Sequence, residues 1–145
     1  MEELLAYALL YCESIVSEEE YEKRLNELFE ENPENDIYLE LEFMPSMKEN
    51  VLYLRAHIDY NKFNHSRFGQ ALMERLKQYY RYASLRKFAD AMWLLWKSLP
   101  DCLQEEEPFH ILSYADDPLS WGDEQQTRGL YEDMLCYYEG RGEGA

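Results

Sequence analysis

Three cysteines and three histidines are the residues of this 145-residue chain best suited to nucleophilic or metal chemistry, and their spacing supports neither. Cys12, Cys102 and Cys136 lie far apart, no Cys-x-x-Cys pair occurs, and each thiol has apolar or aromatic neighbours such as Tyr11, Leu103 and Leu135. An odd, scattered set predicts reduced thiols packed as small apolar side chains, with neither a disulfide framework nor a zinc site, in a cytoplasmic protein. His57 and Asp59 are close in sequence and His65 follows, but no His-Glu-x-x-His or Glu-x-x-His pattern completes a ligand set. His57, His65 and His110 are expected at helix ends or in loops. A calcium loop beginning at Asp117 fails on chemistry, because Leu119 and Arg128 fall where oxygen ligands are required. Phosphate-binding glycine loops, dinucleotide fingerprints and a nucleophile elbow are absent from the sequence. The reading is a protein without catalytic residues, metal or cofactor.

The elements that would position side chains are helical. Residues Leu4 to Cys12 form the longest apolar run, nine residues, against about 20 needed to span a bilayer. A helix from Glu2 to Ile15 is apolar on most sides and should be enclosed by neighbours. A secretory leader wants a basic start, whereas Glu2 and Glu3 follow Met1. Ser17 with Glu20, Ser46 with Glu49, and Asn64 and Ser84 are helix starts, with Asp123 and Gln126 opening a last helix to about Glu139. Asn32-Pro33 reads as a further start. Residues 37–43 alternate as a half-buried strand would, yet Leu and Glu are good helix formers, and helix is preferred. Residues 1–34 have the length of a tetratricopeptide helix pair, but bulky Leu9 and Leu28 fill the small-residue positions and no second copy follows. The chain is therefore expected to be all-α: a single compact domain, residues 1–139, of six to seven antiparallel-packed helices. Residues 101–122 form its main irregular connection and 140–145 a flexible tail.

Charge is the strongest clue to a partner. Thirty acidic residues against fourteen basic ones leave a net charge of −16. The charge is segregated: residues 1–45 balance at −12, residues 46–100 at +6 and residues 101–145 at −10. Nucleic acid and anionic membranes are disfavoured, since both require clustered Lys and Arg. Ion pairs between the basic middle and the acidic ends could satisfy at most ten acids, leaving about twenty facing water. A chain of this mass exposes about 8,000 Å², so one interface of about 800 Å² would present several carboxylates together. Solubility alone needs a net charge of only about 2–8.

Thirteen tyrosines and three tryptophans add to this reading, because Tyr79, Tyr80 and Tyr82, or Trp93 beside Leu94, place rings on more than one helical face. Burial of the helices at 65–81 and 85–99 on two sides would account for the same pattern. Most distinctive is the stretch from Ser113 to Glu124, where Asp116, Asp117, Asp123 and Glu124 combine with Tyr114 and Trp121. Its structural use would be helix capping, with Trp121 as a plug in the core. Its functional use would be an acidic, aromatic contact loop. The expected function is a non-catalytic protein-binding domain, an inhibitor of immunity or antitoxin type for a partner with a basic surface. An assembly subunit that docks on further copies of itself is the second expectation.

Overall fold

The computed structural model describes residues 1–139, and the tail expected at 140–145 lies outside them. The fold is all-α, with no strand among the described residues. Seven helices carry most of the chain: α1 (Glu2–Cys12), α2 (Glu18–Glu31), α3 (Asp36–Glu42), α4 (Met47–His57), α5 (His65–Tyr82), α6 (Leu85–Ser98) and, last in order, α9 (Glu124–Leu135). Between α6 and α9, where an irregular connection was expected, lie two four-residue helices, α7 (Asp101–Gln104) and α8 (Asp117–Ser120), and a 3-10 helix at Phe109–Ser113.

Apart from α1, which has no side-chain cap, each long helix starts where a short polar side chain can satisfy a free backbone N–H. Ser17, Ser46, Asn64, Ser84 and Asp123 accept from the amides of Glu20, Glu49, Arg67, Lys87 and Gln126. Asn32-Pro33 is not a start. The Asn32 N–H and side-chain amide both donate to the Leu28 carbonyl, closing α2, and Asn35 caps α3 by accepting from Ile37. The last helix ends at Leu135 rather than Glu139, with turns continuing beyond Cys136.

Every residue from Leu4 to Leu10 is buried, so α1 runs through the centre and packs against α2, α4, α5 and α6. This is the enclosure that its all-round apolar sequence implies. The other helices are amphipathic: α5 buries Phe68, Leu72 and Leu76, and α6 buries Phe88, Met92 and Leu95. Residues 37–43 show why strand-like alternation does not survive in a helix. Tyr38 and Leu41 point inward, while Leu39 and Phe43 emerge at 40% and 80% exposure. The three cysteines are free, but Cys12, Cys102 and Cys136 are all exposed rather than packed as expected. Their flanking residues take the inward positions: Leu10, Leu103 and Leu135 are buried, and successive helical residues diverge by about 100°.

Candidate functional site

The stretch from Phe109 to Glu124 is organised by a spacing of three. Phe109, Leu112, Ala115 and Pro118 are buried, which suits a chain making tight three-residue turns, and they fix the segment to the core. The 3-10 helix packs on α6, α7 and α9, and α8 packs on α9. With the anchors inward, Tyr114 and Asp117 turn to solvent, and Asp116 lies half-buried between them.

Trp121 is the outermost large side chain of this segment, 68% exposed, and does not plug the core. Backbone geometry explains its position. The Asp123 N–H donates to the Pro118 carbonyl at 2.8 Å and the Gly122 N–H to the Leu119 carbonyl at 3.1 Å, with Gly122 at φ 92°. That pair of bonds with a left-handed glycine is a Schellman closure of α8. Asp123 then caps α9, accepting from the Gln126 amide at 3.0 Å. Trp121 is thus held outward between a helix end and a helix start.

The predicted acids share this region but differ in what they do. Asp117 is exposed. The Asp116 carboxyl is pushed above its ordinary pKa by burial and then by the charges of Asp117 and of Asp90 on α6. Asp123 is committed to its cap, and Glu124 accepts from Arg128 at 2.8 Å. Beneath them Thr127 and Tyr131 of α9 are fully buried, and their hydroxyls have no hydrogen-bond partner among the described residues. Burial, with Asp116 and Asp90, raises the Tyr131 pKa, so its phenol stays neutral. α6 carries exposed apolar surface of its own, where Trp93 and Leu94 are 42% and 48% exposed and Trp93 stacks on Trp96 at 5.5 Å.

Neutralisation inside the molecule is limited. Among the described residues, the Lys and Arg side chains of 46–100 make two ion pairs, Arg75 with Glu20 and Lys77 with Glu139. Lys48, Lys62, Arg67, Arg81, Arg86, Lys87 and Lys97 are exposed instead. Holding such long side chains in one geometry costs entropy that offsets most of what an exposed pair returns. Along α2, Glu18, Glu19, Glu22, Glu27, Glu30 and Glu31 are all exposed.

Among the described residues, no group of three or more His, Cys, Asp or Glu side chains could hold a metal ion. The histidines serve local structure: His57 ends α4 and stacks on Tyr53 at 3.9 Å, and His65 opens α5 and meets Glu106 at 2.7 Å. No helix among the described residues is long and apolar enough to cross a membrane.

Sequence reasoning missed a cavity of about 370 Å³ between α1, α2, the end of α3 and the start of α4. Its lining comes from separate elements, among them Tyr11, Tyr21, Glu42 and Asn50, so no local spacing announces it. The one local hint is Glu42 within the apolar run 37–43. No protein-family model matches this chain, and neither the curated proteins nor the solved structures yield a match.

Proposed function

We propose that this chain is a non-catalytic protein-binding domain whose acidic surface docks a protein partner with a basic surface, in the manner of an immunity or antitoxin-type inhibitor. The observation that carries the reading is Trp121, 68% exposed and fixed by backbone hydrogen bonds in a segment that also carries Tyr114, Asp116, Asp117, Asp123 and Glu124. A rigid exposed aromatic loses little entropy on binding and fills a pocket well, which is why tryptophan and tyrosine anchor interfaces. The surrounding carboxylates would steer a cationic partner and raise its association rate.

The test separates the two contributions. Converting Asp116, Asp117 and Asp123 to Asn and Glu124 to Gln is expected to slow association with a partner co-purified from native cells, with dissociation little changed. Asn at position 123 preserves the cap. Trp121→Ala is expected to speed dissociation instead, by about tenfold or more. Unchanged kinetics in both variants would remove this segment from the contact.

A second reading, assembly with further copies of the chain, draws on the corner between α5 and α6. There Arg81, Arg86 and Lys87 are exposed beside Tyr82, itself 88% exposed. Such a basic, aromatic corner complements the acidic surface of another copy. Light scattering at low and high salt tests it: a mass above 17.5 kDa that falls to the monomer at high salt supports assembly.

A further inference from the structure

The cavity between α1 and α4 combines three features that select for a positive charge on an apolar stem. Its floor is rigid: the Tyr21 hydroxyl donates to Asn50 Oδ1 at 2.7 Å, and Asn50 Nδ2 donates to the Leu41 carbonyl at 3.3 Å. Leu25, Met44 and Met47 give it apolar walls, and Tyr11 and Tyr21 lie with ring centroids 6.5 Å apart, presenting aromatic surface on which cations pack favourably. Its charge is one-sided, for Glu18, Glu22 and Glu42 line it and no Lys, Arg or His does. Oε1 of Glu42 is buried and has no hydrogen-bond partner among the described residues. Burial and the neighbouring Glu22 push the Glu42 carboxyl above its ordinary pKa, the response of an acid lacking a counter-charge.

We infer that this cavity is a socket for the basic side chain, lysine or arginine, of a protein partner. The cationic head meets the Glu42 carboxylate with Glu18 and Glu22 beside it, and the aliphatic stem lies along Met44 and Met47. The volume of about 370 Å³ is within the range of small-ligand sites, roughly 300–1,000 Å³. The inference takes from the proposed function only that the partner is a basic protein, and it involves none of the residues of the 114–124 segment.

The test uses the full chain and three probes: Nα-acetyl-lysine amide, Nα-acetyl-arginine amide and, as a neutral analogue, Nα-acetyl-norleucine amide. Saturable NMR shifts of Tyr11, Tyr21, Met44 and Met47 are expected with at least one cationic probe, with the norleucine probe binding at least about tenfold more weakly. Glu42→Gln is expected to weaken the cationic probe by about tenfold while raising the unfolding midpoint, so the loss is not one of folding. Glu22→Gln weakens it less, and Trp121→Ala leaves it unchanged. Equal binding of the neutral probe, no saturable shift at these four residues, or full affinity in Glu42→Gln would overturn the socket. Unchanged association and dissociation kinetics in the loop variants, with the probes still bound, would overturn only the contact loop.

Discussion

Glu42 and the three thiols illustrate how single side chains here depart from the environments their neighbours in sequence imply. Glu42 holds a buried, unpartnered oxygen, and its folded-state pKa lies above the usual glutamate value of 4.5 because of burial and Glu22. A carboxyl with a raised folded pKa contributes stability that is present below the unfolded pKa and lost as pH rises through the folded one. Glu42→Gln removes the charge, so it is expected to raise the urea midpoint at neutral pH, with the gain shrinking to nothing as pH falls through the glutamate range. A gain that is the same at both pH values would contradict this. The thiols are exposed rather than packed, so the native chain is expected to yield three equivalents with a small disulfide reagent, without denaturant. Desolvation and Glu13 raise the pKa of Cys12, desolvation and Glu106 that of Cys102, and a hydrogen bond to Glu139 that of Cys136. The reactions should therefore be slower than that of a free thiol, because the thiolate is the nucleophile.

Elements rather than side chains decide where the contact residues point. α8 ends in a Schellman closure that needs Gly122 at φ 92°, although nothing lies within 4 Å of the place a Cβ would occupy. Gly122→Ala is thus a test of backbone conformation alone, expected to cost about 1–2 kcal/mol by chemical denaturation. Trp121→Ala removes a side chain that is mostly exposed and should stay within about 0.5 kcal/mol of the parent. At this scale the sequence was informative wherever a cap decided the outcome: Ser17, Ser46, Asn64, Ser84 and Asp123 each open a helix by the expected hydrogen bond. It misled at Asn32-Pro33, where the asparagine closes α2 and the proline follows the helix end, because end and start signals share the same residues. Within 101–122 the prolines and acids concealed a spacing of three in Phe109, Leu112, Ala115 and Pro118, which yields short turns too brief for helical periodicity to reveal. The outward face of Trp121 depends on that anchoring, and a large aromatic among turn residues reads equally as a plug. The α1–α4 cavity was illegible for a plainer reason: its residues meet only after four helices have packed.

Charge acts on the molecule as a whole. A net −16 is spread over a surface of 8479 Å², and the segregation seen along the chain persists because few opposite charges meet. Arg24 pairs with Glu3 at 2.8 Å, Arg75 with Glu20 at 3.4 Å, and Arg128 with Glu124 at 2.8 Å, but the run of glutamates on α2 mostly faces solvent. A field of that sign favours encounter with cationic surfaces and is screened beyond about 10 Å at moderate salt. The association rate constant with a partner isolated from native cells, followed from low to high ionic strength, reads out this steering. A fall of about tenfold or more, with dissociation changing far less, is the predicted result. An association rate independent of salt would contradict an acidic docking surface.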